Sequence, residues 1–406
     1  MPIRYALIVG ALLTLEQAQA LVLTRAHVLA SEAVSVQQAA GRVTAEPAQA
    51  LVDLPPFRSS AMDGFAVRAA DLPGTLPVVE QIAAGRPAGR ALAPGEAMAI
   101  STGGVVPEGA DSVIPIEYVV QHDNKIEAGE AIRQGSNVRP RGGDVAAGDV
   151  IVGVGVRLGP AQVGALAAAG VATVECARRP GVAILATGSE LAAPGAALAP
   201  GQIYESNGLM LAASLAAVGG DIDALPVVAD DESAHRAALE RGLAADVLVT
   251  SGGVSVGPHD LVRAIEAELG VEEVFWRVAI KPGKPVSFGV RGETLVFGLP
   301  GNPVSSLVGC ELFVKPALRA LQGQRDPLPR IESGLLAAPL QRNDARDEFV
   351  RARSRVDQNG VLLEPLSGQE SHMIARAAAA DALVHVPRGD GELAAGSRVA
   401  WIRLDY

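Results

Sequence analysis

Residues 246–270 read DVLVTSGGVSVGPHDLVRAIEAELG, and this stretch decides the fold class. It opens with a short apolar run typical of a buried strand and closes with an amphipathic helix that has Pro258 near its start. Between the two lie Gly252, Gly253 and Gly257, where bare backbone can approach a ligand closely. This order of strand, glycine-rich loop and helix predicts one unit of a parallel α/β sheet with a ligand at the loop.

The same alternation runs through residues 179–325. Apolar strands are predicted in GVAILA, DIDALPVV and TLVFGL, and helices in SNGLMLAASLAAVGG, DESAHRAALERGLA and PVSSLVGCELF. Asn207 and Asn302 are the predicted N-caps of two of these helices, with Pro303 at a first helical position. Strands that alternate with helices predict a doubly wound parallel sheet covered on both faces.

The rest of the chain differs in texture from this α/β region. Residues 14–54 are predicted to be mainly helical, whereas glycine, proline and short Val/Ile runs predict an inserted β-domain in the stretch that follows. Short strands near the C-terminus predict a small barrel or sandwich. The expected boundaries are an extension at 1–13, a discontinuous mixed domain at 14–54 and 141–178, the inserted β-domain at 55–140, the α/β domain at 179–325 and a C-terminal β-domain at 326–406.

Composition narrows the functional classes. The 406 residues carry a formal net charge of −11, which argues against a nucleic-acid-binding surface but allows a local basic pocket for a small anion. The two cysteines, Cys176 and Cys310, are too few for a disulfide framework or a cysteine metal cluster. We expect both to be small buried apolar residues.

The N-terminal stretch MPIRYALIVGALLTLEQAQA imitates a signal peptide, with one arginine, an apolar run and an Ala-x-Ala ending. However, Thr14 and Gln17 form a predicted capping box, and the following residues continue as an amphipathic helix. Cleavage after Ala20 would cut that helix in half, so we expect no export. No apolar run reaches the roughly 18–20 residues of a membrane span. We therefore expect no membrane partner and a cytoplasmic location.

Three unusual loops follow strands of the predicted sheet: ATGSEL (186–191), TSGGVSVGPHD (250–260) and GLPGNP (298–303). In an open parallel sheet ligands bind beyond the carboxyl ends of the strands, and glycine loops before helices favour anions. The simpler alternative is that the glycines only make tight turns. Ser251, Ser255, Pro300, Gly301 and Pro303 join the glycines and Asn302 as predicted binding residues.

Carboxylates accompany these loops. Glu190, Asp260 and one of Asp230 and Asp231 fall on neighbouring loops, and carboxylates beside phosphate-binding loops are typical Mg²⁺ ligands. Capping of the next helix is the alternative for Asp260. The sequence predicts Mg²⁺ held by Glu190 and Asp260.

A basic turn lies nearby in WRVAIKPGKPVSF (276–288). Lys281 and Lys284 flank a Pro-Gly turn and Arg277 precedes it, which suits a polyanionic ligand. A solvated basic turn is the simpler alternative. The β-region contributes PPFRSSAMDGFAVR (55–68), for which a hairpin turn is the simpler alternative, the flexible loop STGGVVPEGAD (101–111), and RPRGGD (139–144) at the domain junction. No Ser-His-Asp order, HExxH or Walker A stretch supports a hydrolase or P-loop enzyme.

Taken together and in this order, these motifs resemble the MoeA-type molybdopterin molybdenumtransferases, a group that includes the E domain of gephyrin. The resemblance covers the chain from about residue 14. It implies the last step of molybdenum cofactor synthesis: adenylylated molybdopterin and molybdate are substrates, Mg²⁺ is required, and AMP leaves. It also implies an elongated four-domain homodimer, with the molybdopterin-adenylylating protein and cofactor-accepting enzymes as partners.

The resemblance places functional positions at Asp63, Thr102, Asp144, Glu190, Asp231, Asp260, Lys281 and Ser371. One departure concerns Arg277, where members of this family often carry lysine. Three rival functions remain: a molybdopterin adenylyltransferase, a nucleotide amidase or pyrophosphatase with the same α/β domain, and a gephyrin-like scaffold. The first two lack the β-insertion, and a scaffold would favour a degenerate site, which these acids do not indicate.

Overall fold

The structure is a computed structural model that describes residues 12–228, 231–253, 261–358 and 360–404. The first helix, α1 (Leu15–Arg25), begins at the predicted capping box, in which the Thr14 hydroxyl accepts from the Gln17 backbone and the Gln17 side chain accepts in return. Leu15 and Val22 pack against the core of the α/β domain, so α1 lies with that domain rather than with the predicted discontinuous one.

The prediction that residues 14–54 are mainly helical is wrong beyond α1. The chain next forms two strands, β1 (Ser31–Ser35) and β2 (Ala48–Gln49). The stretch is rich in alanine and glutamine, which favour helix, but β1 pairs with a strand more than a hundred residues later in the sequence, over Thr173–Ala177. Tertiary pairing therefore overrides the local preference.

The inserted β-domain has a six-stranded sheet in the order β7-β4-β6-β5-β9-β8. Apolar residues form a separate cluster on each face of it, around Phe65 and Ile126 on one side and Met98 and Val113 on the other. Its strands are β3 (Ser59–Ser60), β4 (Gly64–Val67), β5 (Gly74–Ile82), β6 (Ala97–Ile100), β7 (Ser112–Pro115), β8 (Val120–His122), β9 (Lys125–Ala128) and β10 (Val138–Arg139).

The chain then completes the small domain that holds the insertion. Its remaining elements are β11 (Val150–Val152), α2 (Pro160–Ala168) and β12 (Thr173–Ala177). Pro160 stands at the first position of α2, where a proline is well tolerated, and β12 pairs antiparallel with β1. A buried cluster that includes Val34, Leu158 and Cys176 joins the two parts of this domain.

The α/β domain follows. Its elements are β13 (Gly181–Ala186), β14 (Leu191–Ala192), β15 (Ile203–Tyr204), α3 (Asn207–Ala216), β16 (Asp221–Ala224), α4 (Glu232–Gly242), β17 (Val247–Ser251), α5 (Leu261–Glu268), β18 (Glu272–Trp276), β19 (Ile280–Lys281), β20 (Ser287–Arg291), β21 (Thr294–Leu299), α6 (Pro303–Gly309) and α7 (Lys315–Leu321). A π-helical stretch, Cys310–Val314, joins α6 to α7. Burial raises the pKa of the Cys310 thiol to about 12, in line with its predicted apolar role.

The main sheet of this domain has the order β16-β13-β17-β21-β20-β18. The first four strands are parallel, as predicted, whereas β20 and β18 run antiparallel to their neighbours. The short connection between β20 and β21 forces this reversal, because a tight turn can join only antiparallel strands. Chain order reverses between β13 and β17, where ligands bind in doubly wound sheets.

The C-terminal domain is a closed five-stranded barrel, since β24 pairs with both β25 and β26 and the remaining strands complete the ring. Trp401 fills its interior. Strand β19 of the α/β domain pairs in parallel with β24, which joins the two domains. The elements are β22 (Ile331–Leu336), β23 (Leu340–Gln341), β24 (Asp347–Asp357), β25 (Gly360–Pro365), α8 (Ile374–Ala377), β26 (Ala382–Val386), β27 (Glu392–Leu393) and β28 (Arg398–Arg403).

The predicted fold class is confirmed: a doubly wound α/β domain, an inserted β-domain and a C-terminal β-barrel occur in the expected order. In the part of the chain that the structure describes, every helix is too short or too polar to cross a bilayer.

Candidate active site

A cleft of about 280 Å³ opens beyond the carboxyl ends of β13, β17 and β21. We call it the edge cleft. The predicted glycine-rich and Pro-Gly loops supply about half of its wall, and the segment from β15 to the start of α3 and the C-terminal domain supply the rest. Its lining residues are Ala186, Thr187, Glu190, Leu191, Ile203, Tyr204, Glu205, Ser206, Asn207, Ser251, Gly301, Asn302, Pro303, His372 and Ile374.

Asn207 ties two of the loops to the start of α3. Its side-chain amide donates to the Ser251 hydroxyl at 2.9 Å and to the Gly301 carbonyl at 2.7 Å. The prediction that Asn207 is an N-cap is therefore wrong: it is the first helical residue, Ser206 precedes it, and the Glu205 carboxylate accepts from the Gly208 backbone at 2.6 Å. Both loops are thus held at fixed positions by one side chain.

Glycines allow the backbone to pack tightly around the cleft. Gly252 has φ +97°, and a Cβ there would lie 2.8 Å from the Thr187 carbonyl oxygen. A Cβ on Gly188, at φ +152°, would lie 2.6 Å from a carboxylate oxygen of Glu190. At Gly252 the close atom belongs to the backbone, so both packing and the backbone angle require glycine, whereas at Gly188 the close atoms are the end of the flexible Glu190 side chain and the positive φ alone favours glycine.

The C-terminal domain closes one side of the edge cleft. The Asn302 side chain donates to the Ser371 hydroxyl at 2.9 Å, and the Val304 backbone donates to the Ser371 carbonyl at 3.0 Å. These two hydrogen bonds hold Ser371 against the GLPGNP loop, and its functional role stays a prediction. Asn302 stands at the N-cap of α6, as predicted, but its side chain serves this contact and makes no capping bond to the helix.

Lys281 lies next to the edge cleft rather than in its wall. Its ammonium nitrogen is 2.8 Å from the Glu348 carboxylate, and both line a smaller cavity of about 180 Å³ with Gln369 and Glu370. Gln369 and Glu370 immediately precede Ser371, so one segment of chain borders both cavities. Half of the Lys281 side chain stays exposed, which leaves its charge accessible to a ligand.

Arg277 is held by an aromatic ring. Its guanidinium stacks on Trp276 at 3.7 Å from the ring centroid, and that of Arg263 lies 4.1 Å from the same ring. The residue has φ +78°, and its backbone donates to the Val286 carbonyl. This stacking orients the planar guanidinium of Arg277 in a way that the compact ammonium group of lysine could not reproduce. Lys284, on the same turn, accepts through its carbonyl from Val278.

The sites predicted in the β-insertion meet each other but not the edge cleft of the same chain. The Asp63 carboxylate accepts from the Thr102 backbone at 2.7 Å, which joins two of the predicted motifs. Asp144 is exposed at the junction between the domains, and its backbone donates to the Leu54 carbonyl. Among the described lining residues of the edge cleft, none belongs to the insertion.

Asp231 has a structural role in this chain. It is the N-cap of α4, where its carboxylate accepts from the Ala234 backbone at 2.8 Å and from the Ser233 hydroxyl at 2.7 Å. These hydrogen bonds, that of Ser233 first, lower the pKa of the Asp231 carboxyl. Its functional role stays a prediction, and the other predicted residues Asp230, Ser255, Gly257 and Asp260 lie outside the described residues.

Within the described ranges no cluster of three His, Cys, Asp or Glu side chains that could hold a metal ion occurs. The edge cleft nevertheless presents two carboxylates, Glu190 and Glu205, of which Glu190 makes no side-chain bond to another described residue. Mg²⁺ is usually bound by one or two carboxylates together with waters and substrate phosphates. The donor set of the cleft therefore fits Mg²⁺ with Glu190 as a ligand.

Comparison with known proteins decides the family. Family models for the "MoeA N-terminal region (domain I and II)", the "probable molybdopterin binding domain" and the "MoeA C-terminal region (domain IV)" match residues 13–170, 183–320 and 333–404. The chain belongs to the MoeA family. The matched regions follow one another in the order in which the three parts of the fold occur.

Relatives of this MoeA family member cover nearly all of it. A molybdopterin molybdenumtransferase 2 of Mycobacterium tuberculosis is 37% identical over 381 residues, or 90% of this chain and 93% of the relative. A molybdopterin molybdenumtransferase of Haemophilus influenzae is 34% identical over 395 residues, or 96% and 98%. Among solved structures, a molybdopterin biosynthesis MoeA protein of Pyrococcus horikoshii is 29% identical with a TM-score of 0.83, covering 97% and 100%.

Sequence reasoning missed Arg351, which shapes this MoeA site from inside the barrel. It is 1% exposed, and its guanidinium donates to the carbonyls of Gly368, Glu370 and Met373, which bracket Ser371. Burial lowers the pKa of the Arg351 guanidinium. The signal in the sequence was limited to an arginine between the apolar residues Val350 and Ala352.

Proposed function

We propose that this chain carries out the last step of molybdenum cofactor synthesis, inserting molybdenum from molybdate into adenylylated molybdopterin. The phosphoanhydride bond is hydrolysed, AMP leaves with one phosphate, and the other phosphate stays on the pterin. Molybdenum ends bonded to the two dithiolene sulfurs, and one oxygen of molybdate leaves as water with the two thiol protons. One observation carries the proposal: in a chain that matches the MoeA family almost from end to end, three strand-end loops and the Ser371 segment converge on one cleft.

The residues of the edge cleft divide the work. Ser251 and Gly301 offer hydroxyl and backbone donors to the pterin phosphate, whereas the Gly252 backbone N–H donates to the Leu299 carbonyl and Gly252 shapes the loop. Lys281 and Lys284 add positive charge on the adjoining turn, where the developing negative charge of the phosphoanhydride needs neutralising. Molybdate, a tetrahedral dianion, meets a cationic donor in Lys281 and a hydroxyl donor in Ser371. Lys281 lines the smaller cavity, and Ser371 lies on the chain segment that borders both cavities.

Glu190 would hold Mg²⁺ together with Asp260, and the ion would supply a Lewis acid that stabilises the phosphoryl oxygens. The chain's own residues fix where the substrate lies. Asn207 holds the Ser251 and Gly301 loops, and Asn302 holds Ser371 against the second of them. The reacting groups would thus be held in one position between the sheet edge and the barrel.

We further propose a cytoplasmic homodimer in which Asp63 and Thr102 of one subunit complete the edge cleft of the other. The insertion carries both residues on joined loops and contributes nothing to the cleft of its own chain among the described lining residues. In a twofold dimer both clefts would be shared equally. For location, Ala18 and Val22 are buried in a packed core, so cleavage after Ala20 would destroy that packing. The adenylylating protein and cofactor-accepting enzymes are its proposed protein partners.

The dimer proposal predicts complementation between inactive subunits. Asp63→Asn and Glu190→Gln homodimers should each fail to release AMP. A heterodimer purified through two different tags should recover about half of the wild-type rate, because one cleft collects both substitutions and the other collects neither. AMP is measured after addition of adenylylated molybdopterin, molybdate and Mg²⁺. Heterodimers as inactive as the parents would mean that each site is built within one chain.

A further inference from the structure

Another cavity, of about 660 Å³, lies where the discontinuous domain, the α/β domain and the linker to the barrel meet. Among its described lining residues are four arginines and a single carboxylate. We call it the arginine pocket, and it is lined by Gly155, Val156, Arg157, Val218, Arg319, Gln324, Arg325, Asp326, Leu328 and Arg330. None of these residues is among the described lining residues of the edge cleft.

The concentration of positive charge is unusual for this chain. Acidic residues outnumber basic ones 45 to 34, and many other arginines are paired with carboxylates, as Arg178 is with Asp246. Within the described ranges, Arg157, Arg325 and Arg330 form no ion pair with a carboxylate. Guanidinium groups that face one cavity with a single carboxylate among them repel each other, and an anion in the cavity would relieve this repulsion.

Hydrogen bonds to backbone carbonyls hold two arginines of the pocket in place. The Arg157 guanidinium donates to the Ala217 carbonyl at 3.0 Å, and that of Arg325 donates to the Val154 carbonyl at 3.3 Å. The Arg325 backbone also donates to the Gly155 carbonyl at 3.2 Å. Gly155 has φ +73°, and a Cβ there would lie 2.6 Å from the Gly323 carbonyl oxygen, so only glycine allows this approach. Each of these two guanidinium groups keeps most of its five N–H donors free of these bonds.

We propose that the arginine pocket binds a small molecule that bears linked phosphoryl groups. Planar guanidinium groups match the oxygens of phosphate in pairs, which favours this chemistry over a carboxylic acid of the same charge. The cavity lies within the range of about 300–1,000 Å³ typical of small-molecule sites, and is larger than one orthophosphate needs. Val156, Val218 and Leu328 provide apolar wall for the rest of such a ligand.

Inorganic pyrophosphate serves as the probe, with orthophosphate as the single-phosphoryl comparison. Titration calorimetry of the full-length protein at low salt should show one pyrophosphate site and weaker orthophosphate binding. Arg330→Gln should weaken pyrophosphate binding about tenfold, because one charge-assisted contact is lost, and Arg325→Gln with Arg330→Gln should weaken it about a hundredfold. Arg86→Gln, which removes an exposed arginine of the insertion, is the matched control and should leave affinity unchanged.

Lys281→Ala separates this proposal from the proposed reaction. Pyrophosphate affinity should survive Lys281→Ala, because Lys281 lies outside the arginine pocket. Loss of binding in Lys281→Ala but not in the double arginine variant would place pyrophosphate in the candidate active site and overturn the inference. A dissociation constant above about 10 mM, which corresponds to a binding free energy of a few kcal/mol at most, would also overturn the inference. A third result would also overturn the inference: wild type does not bind pyrophosphate, and light scattering shows that the double arginine variant differs from wild type in molecular mass. The arginines would then form a contact between copies of the chain.

Discussion

The two edges of the parallel sheet, where its strands begin and where they end, carry carboxylates that differ in their hydrogen bonding. At the amino edge, Asp246 is fully engaged: it accepts from both terminal nitrogens of Arg178 at 2.6 Å and from the Gly181 backbone at 2.7 Å. At the carboxyl edge, Glu190 lines an open cleft and makes no side-chain bond to another described residue. Both carboxylates lie beside strands of the same sheet. Asp246 is bonded within the fold, whereas Glu190 is available to a ligand.

The difference teaches how to separate structural from functional polar residues in this fold. A structural carboxylate satisfies its oxygens within the chain, whereas a functional one is held in place by neighbours but keeps its oxygens available. Asn207 is an intermediate case. Its side-chain amide donates hydrogen bonds that hold two loops around the cleft, and these donors do not bind the ligand themselves. The predictions below test this division.

The largest effect is expected for Glu190→Gln. An amide matches the shape of the carboxylate but lacks the charge that holds Mg²⁺, so AMP release should fall by at least about 100-fold. The free energy of unfolding should stay within about 0.5 kcal/mol of wild type, because no bond within the fold is lost. Glu293→Gln, an exposed carboxylate in the turn before β21 at the opposite edge, is the control and should keep both properties. Wild-type turnover in Glu190→Gln at low Mg²⁺ would remove this residue from the metal site.

Lys281→Ala should weaken binding of adenylylated molybdopterin roughly tenfold to a hundredfold, since one charge-assisted contact is worth about 1.5–3 kcal/mol. We expect the lower end, because half of the side chain is exposed to solvent. Titration calorimetry measures the change, with Lys125→Ala as a control for loss of an exposed lysine. Equal affinity for wild type and Lys281→Ala would exclude a role for this ammonium group in phosphate binding.

Asn207→Ala should lower AMP release about tenfold through movement of the two loops, at a cost of about 1–2 kcal/mol for the lost hydrogen bonds. Hydrogen exchange should rise at the amides of residues 251–253 and 299–302. Asn343→Ala also removes two hydrogen bonds, but in a barrel loop, and should leave those amides and the rate unchanged. If exchange rises with no loss of rate, Asn207 does not position the reacting groups.

Asp246→Asn should leave AMP release unchanged and lower the free energy of unfolding by about 1–2 kcal/mol, because a partly buried ion pair is broken. Burial raises the pKa of the Asp246 carboxyl, but bonds from Arg178 and Gly181 outweigh it and lower the pKa. A lowered folded-state pKa stabilises the fold above the unfolded value, near 4, and this stabilisation is lost as the pH falls.

The stability difference between wild type and Asp246→Asn should therefore shrink below about pH 4. Asp223→Asn is the matched control, since its pair with Arg241 is exposed on both sides and should contribute less than about 1 kcal/mol. A difference for Asp246→Asn that does not depend on pH would show that the ion pair is not its source.

The sequence predicted the fold well where the signal was local. Local patterns correctly predicted the Thr14 capping box, the parallel strands of the α/β domain and the helices α3, α4 and α6. The failures depend on distant partners. Ser31–Ser35 becomes a strand only because Thr173–Ala177 pairs with it, and α1 joins the α/β domain because its apolar face finds that core.

The same division holds for the site. Glu190, Ser251 and Asn302 could be placed at one sheet edge because parallel strands bring their carboxyl ends together. The sequence could not reveal that Asn207 bonds across two loops or that Arg351 orders the Ser371 segment, because both depend on contacts far apart in the chain. It also did not indicate that the Asp231 carboxylate is already occupied as a helix cap.

The most direct test measures AMP release and unfolding side by side for Glu190→Gln and Asp246→Asn. Each purified variant is given adenylylated molybdopterin, molybdate and increasing Mg²⁺, and the same preparation is unfolded in urea. We predict that Glu190→Gln loses the Mg²⁺-dependent AMP release but keeps wild-type stability, and that Asp246→Asn keeps the release but unfolds at lower urea. If Glu190→Gln released AMP at the wild-type rate, or if wild type released none with any divalent metal, the carboxyl edge would not be the site of molybdenum insertion.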